Sequence, residues 1–116
     1  MRELKIFKKY RHFKGGECFV LCKSIPLERK EFLKRVKMMY FECMHTETYN
    51  NIKIFKSLDS EIYYHDSRWS EDVLVVYEAL YDNFGRYTRP YNMFMSEVDK
   101  EKYPNAKQKY RLEEID

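Results

Sequence analysis

Asp72-Val73-Leu74-Val75-Val76-Tyr77-Glu78-Ala79-Leu80 is the most strand-like stretch of the chain. Its VLVVY centre is apolar at successive positions rather than alternate ones. A strand with one solvated face would alternate, so this pattern predicts a central strand buried on both faces. Asp82-Asn83-Phe84-Gly85 follows as a hairpin turn, and Arg86–Arg89 returns as its partner. Pro90 then opens one or two helical turns that pack through Met93, Phe94 and Val98.

Upstream, the chain is read as a series of short strands. Leu4–Tyr10 and Cys18–Lys23 flank the turn signal Lys14-Gly15-Gly16 and form a hairpin. Pro26, with Glu28 and Glu31 after it, predicts a helix over about 26–36 carrying Phe32, Leu33 and Val36 at helical spacing. Met38–Thr46 and Ile52–Lys56 make a second hairpin around Tyr49-Asn50-Asn51. Glu61–Tyr64 is a short strand and His65–Ser70 a polar loop. Residues 99–108 form a charged loop containing Pro104, and Lys109–Glu113 closes the sheet. Seven or eight short strands with one or two short helices exclude a doubly wound sheet. They favour a mainly β (α+β) fold, a small, strongly bent antiparallel sheet or open barrel.

With 116 residues there is room for one domain, spanning 1–116. No apolar run approaches the ~18 residues of a membrane helix. MRELKIFKKYRHF has no continuous apolar segment and does not read as a secretory signal. Three glycines exclude nucleotide loops built from several. The odd cysteine count, Cys18, Cys22 and Cys43, points to reduced thiols and a cytoplasmic setting. Four strand residues span about 13 Å, so Cys18 and Cys22 cannot share a zinc. No metal site and no cofactor are expected.

The net charge of +3 is unevenly spread. Residues 1–38 hold twelve basic and four acidic residues, a net of +8, while residues 39–85 carry −6 and residues 86–116 carry +1. A basic first third suits nucleic acid or another polyanion; a solvated surface with acidic and basic segments close together is the preferred account, because the total charge is modest and no block reaches five consecutive like charges.

Tyr10-Arg11-His12-Phe13-Lys14-Gly15, Phe19-Val20-Leu21, His45-Thr46-Glu47-Thr48, Leu74–Tyr81, and Arg89-Pro90 with Met93-Phe94 occur in that order. In these blocks the chain resembles a small bacterial family catalogued as domain of unknown function 1653. The resemblance implies a small β-rich bacterial or phage domain and supplies no chemistry. Family members are compact, whereas here 23 residues separate Leu21 from His45 and 25 separate Thr48 from Leu74. The chain is therefore read as the family core with insertions at about 22–44 and 49–73. His65-Asp66-Ser67 competes with His45-Thr46-Glu47-Thr48 for the third block, because it lies nearer the VLVVY strand.

Three groups of residues could carry function. His45 and Glu47 fall on one strand face, and His12 approaches them if the first hairpin packs alongside. Such a set could move protons, or the histidines could be structural. No nucleophile accompanies them and no serine has an elbow context, so the balance falls against an enzyme. Arg11, Arg86 and Arg89, interleaved with Tyr10 and Tyr87, suit a flat anionic ligand whose ring stacks while its phosphate pairs. Alternatively Arg89 pairs with Glu47 or Glu78 and braces the sheet. Third, Trp69 and Tyr63 in polar surroundings, with Arg29, Lys30 and Lys34 on the helix, could anchor a protein partner.

The leading expectation is a non-enzymatic module binding an anionic, nucleotide-like small molecule through Arg11, His12, His45, Glu47 and Arg89, with Tyr77 or Tyr87 stacking. The alternative is a protein-interaction or inhibitor protein, of the kind a phage or mobile element encodes, acting through the inserted segments. A third is nucleic-acid binding by the basic first third, whose affinity would fall steeply with salt. No membrane partner is expected.

Overall fold

The computed structural model describes residues 2–35, 37–81, 83 and 85–115; the side chains of Lys37 and Tyr40 are likewise left undescribed. Val36 of the expected helix, and Asp82 and Phe84 of the expected turn, lie outside these residues.

The chain runs β1 (Lys9–His12), β2 (Glu17–Leu27), α1 (Arg29–Lys34), β3 (Lys37–His45), β4 (Asn51–Ser57), β5 (Tyr63–Asp66), β6 (Leu74–Ala79), β7 (Arg86–Pro90), α2 (Tyr91–Phe94) and β8 (Leu112–Ile115). One sheet contains them in the order β5-β4-β3-β7-β6-β2-β1-β8, and β5 also pairs with β2. That extra pairing closes six strands into a barrel. The fold is mainly β, as expected. The barrel is closed rather than open, and two of its seams, β2–β5 and β3–β7, are parallel.

β2 can serve both edges because it is long. Glu17–Phe19 pairs with β1 and Ser24–Leu27 with β5, while Cys18–Ser24 pairs with β6 across the opposite edge. A bulge between Val20 and Cys22 changes which face the even-numbered residues occupy. Cys18 and Val20 join Tyr10, Val75, Tyr77, Phe94 and Leu112 in a core outside the barrel wall. Cys22 instead joins Cys43, Ile52, Ile54, Leu74 and Val76 in the barrel interior. β6 contributes to both cores: Leu74 and Val76 face inward, Val75 and Tyr77 outward, and all four are buried. The unbroken apolar run of β6 thus meets two apolar environments. Phe94 on α2 seals the outer core, with its ring 5.4 Å from Tyr10 and 5.8 Å from Tyr77.

Several boundaries move from the sequence expectations. The first strand begins at Lys9, not Leu4, and Phe7 takes a φ of 59° ahead of it. The helix is only Arg29–Lys34, because Ile25, Pro26 and Leu27 extend β2 along β5. Proline is tolerated there because its missing N–H withholds only one ladder bond. His65 and Asp66 are strand residues at zero exposure, not a loop. All three cysteines are buried free thiols, and burial pushes each pKa up to about 12. Among the described residues, no helix is long and apolar enough to cross a membrane.

Candidate functional site

Strand alternation on β7 divides the sequence candidates. Thr88 lies opposite Val76 and faces the barrel interior, whereas Tyr87 and Arg89 lie opposite Tyr77 and Val75 and face outward. His12 lines a cleft on the outer side together with Arg89. His45 is buried and its Nδ1 lies 2.8 Å from Thr88 Oγ1. The structure therefore brings His12 to Arg89 and leaves His45 on the other side of the β6–β7 wall. β3 ends at His45, so Glu47 is an exposed turn residue, bonded by Thr46 Oγ1 at 3.1 Å, and not a neighbour on the same strand face. Burial lowers the His45 pKa against the opposing pull of Glu47.

The cleft has a volume of about 570 Å³. It lies where the β1–β2 turn meets β7 and the residue preceding β8. Its basic residues are Lys14, Arg89 and Arg111, its aromatic ones Phe13, Tyr81 and Tyr103. Among the described residues, no carboxylate lines it, and none forms an ion pair with His12, Arg89 or Arg111. Glu78, a suggested partner for Arg89, lies 3.5 Å from Arg86 instead. Arg89 Nε is buried without a hydrogen-bond partner. Its guanidinium carbon lies 6.0 Å from the centre of the Tyr77 ring.

The turn that carries His12 is tightly bonded. His12 N–H donates to Gly16 O and Gly15 N–H to His12 O, both at 2.7 Å, with Gly15 at φ 110°. Lys14 N–H donates to His12 Nδ1 at 3.1 Å. A nitrogen that accepts from an amide carries no proton, so the ring is neutral with its hydrogen on Nε2. Burial, then the charges of Arg89, Arg111 and Lys14, push the His12 pKa down to about 4. The His12 and Phe13 rings stack at 4.6 Å, and Phe13 meets Tyr103 edge-on at 4.9 Å. Lys14 Nζ lies 5.0 Å from the centre of the Tyr103 ring. Tyr81 rests on Gly16, where a Cβ would stand 2.9 Å from the ring.

The remaining candidates lie elsewhere. Arg11 points away from the cleft and bonds Glu17 Oε2 at 3.0 Å. Tyr77 is buried, its ring packed against Tyr87 at 6.0 Å and Phe94, so it supports Arg89 rather than offering an open face. Tyr63 is half-buried against the barrel core and Trp69 is partly exposed in a turn. Arg29 Nη1 donates to the buried Asp66 carboxylate at 2.8 Å, while Lys30 and Lys34 are exposed. Sequence reasoning missed Arg111 and Tyr103, which no local motif marks, and passed over Phe13, Lys14 and Tyr81.

The barrel interior holds a second polar group. Ser70 O accepts from His65 Nε2–H at 3.0 Å, so His65 Nδ1 accepts from the Ser24 hydroxyl at 2.7 Å. A recess of about 520 Å³ lies between residues 3–7 and β2, walled by Leu4, Ile6, Phe7, Leu21, Ile25 and Ile62. Its rim mixes Glu3 and Glu61 with Lys23, so it lacks the one-signed charge of the His12 cleft.

Neither a curated protein nor a solved structure matches the chain. A family model described as a protein of unknown function (DUF1653) matches residues 8–113, from just ahead of β1 into β8, and the chain belongs to that family.

Proposed function

We propose that the protein is a non-enzymatic binding module for an anionic, nucleotide-like small molecule, held in the cleft between His12, Lys14, Arg89 and Arg111. The observation that carries this reading is the uncompensated charge: three cations surround a neutral histidine with no carboxylate beside them among the described residues. Like charges held together without partners are costly, and an anion relieves that cost. Phe13, Tyr81 and Tyr103 supply ring surface for a base. Arg11, His45, Glu47, Tyr77 and Tyr87 stand outside the direct contacts in this reading. Three buried thiols accord with a reducing cytoplasm.

Calorimetry with adenosine 5′-monophosphate tests it, alongside Arg89→Met and Arg111→Met variants. Saturable binding that both substitutions weaken at least tenfold supports the reading. Binding indifferent to both substitutions rejects it.

A second reading is a protein contact made by the inserted segments. It is favoured by the exposure of Leu33, Met38, Met39, Leu58 and Trp69, all within residues 22–73. A pull-down lost on combined Leu33→Ser and Trp69→Ser substitution, from a protein that itself binds no phosphate ligand, would support it over the first. Nucleic-acid binding predicts affinity for a short oligonucleotide that falls steeply with salt.

A further inference from the structure

Resting on the anion-binding reading, we infer that the cleft selects a terminal phosphate carrying both of its negative charges, and that His12 serves as a neutral donor that stays neutral when the phosphate is bound. The hydrogen bonding of the turn carries this. Lys14 N–H occupies Nδ1 at 3.1 Å, so only Nε2–H remains to donate into the cleft. Protonating His12 would set a new N–H against the Lys14 amide and break that bond.

Among the described residues, every charged group facing the ring reinforces this. Lys14 comes from the turn, Arg89 from β7 and Arg111 from the residue preceding β8, all cationic. Tyr103 and Tyr81 are the other titratable groups of the cleft. A histidinium would add a fourth positive charge to three unpaired ones. A phosphomonoester dianion offers three terminal oxygens and two charges to this donor set. A carboxylate or phosphodiester offers two oxygens and one charge. The terminal phosphate is the shared chemistry of nucleotides and sugar phosphates, and the aromatic residues decide between them.

Four probes separate the possibilities in calorimetry from pH 5 to 7.5: adenosine 5′-monophosphate, ribose 5-phosphate, adenosine 3′,5′-cyclic phosphate and adenosine. The second ionisation of a phosphomonoester lies near pH 6, so its affinity should rise about tenfold over this range. The cyclic diester, singly charged throughout, should bind more weakly and without that rise. Adenosine 5′-monophosphate should exceed ribose 5-phosphate if the rings stack a base. Nitrogen-15 shifts of the His12 ring should keep the Nε2–H pattern in the complex. Affinity that falls as pH rises, or a bound ring protonated on both nitrogens, overturns the inference while the anion-binding reading stands. No binding by any phosphate overturns both.

Discussion

Thr88 and Arg89 are chain neighbours on β7 that serve opposite sides of one wall. Thr88 faces the barrel interior, where it meets His45, and Arg89 faces the cleft that His12 lines. The two histidines in family-like blocks thus have different tasks: His45 belongs to a buried polar belt and His12 to an accessible cleft.

Arg89 separates binding from stability. Its Nε is buried and unpaired, so Arg89→Met removes a desolvation cost and gives up only the distant guanidinium contact with the Tyr77 ring, at 6.0 Å. Thermal denaturation should show a melting temperature unchanged or raised. Binding of adenosine 5′-monophosphate should weaken about tenfold to a hundredfold, the size of a lost charge-assisted hydrogen bond. A large fall in melting temperature would show that Arg89 braces the sheet.

Acid should destabilise the fold through His65. Burial is the largest cause lowering its pKa, to about 4. Above pH 6.5 the ring is neutral in both folded and unfolded chains and contributes no slope. Below 6.5 the unfolded chain takes up a proton that the folded one refuses, and stability falls until pH 4. The full shift is worth about 3 kcal/mol. Urea denaturation between pH 7 and 4 should show this loss, and His65→Gln should reduce its slope by about one proton.

Asp66 is an internal acceptor for Arg29 Nη1 at 2.8 Å and Arg68 N–H at 3.0 Å. Its side chain has zero exposure, while those of Arg29 and Arg68 are 47% and 61% exposed. Asp66→Ala should cost about 2 kcal/mol in urea denaturation, and Arg29→Ala clearly less, because the arginine alone can return to water. Equal costs would mean that the pair acts as a unit.

Two adjacent glycines should respond differently. Gly15→Ala forces a φ of 110° on a residue with a Cβ and should cost about 1 kcal/mol. Gly16→Ala meets only the exposed Tyr81 ring, which can swing away. It should leave denaturation nearly unchanged and weaken nucleotide binding a few-fold by reshaping the cleft.

How much of this could be read from the letters depended on whether each signal was local. Val73–Tyr77 announced a strand buried twice because every position was apolar, and β6 is that strand. Pro90 marked the turn of α2 for an equally local reason. The bulge after Val20 left no mark, since Cys18, Val20, Cys22 and Ser24 are all buried and alternate as an unbroken strand would. His65 and Asp66 looked like a loop because they are polar, and contacts with Ser24, Ser70, Arg29 and Arg68 make their burial tolerable. His12 and Arg89 were legible as candidates because they stand in marked blocks. Arg111 and Tyr103 were not, because Tyr103 reaches the cleft from a charged loop and Arg111 from the residue before β8, and neither segment carries a pattern of its own.

The cleft draws on positions 12–14, 16, 81, 89, 103 and 111, so nothing short of the whole folded chain contains it. A molecule that occupies it has no counterpart to bind in the unfolded ensemble. Occupancy therefore raises the free energy of global unfolding, by about 2.7 kcal/mol at a hundred times the dissociation constant. A melting-temperature screen of metabolites is thus also a search for the natural ligand, and needs no assumption about its identity.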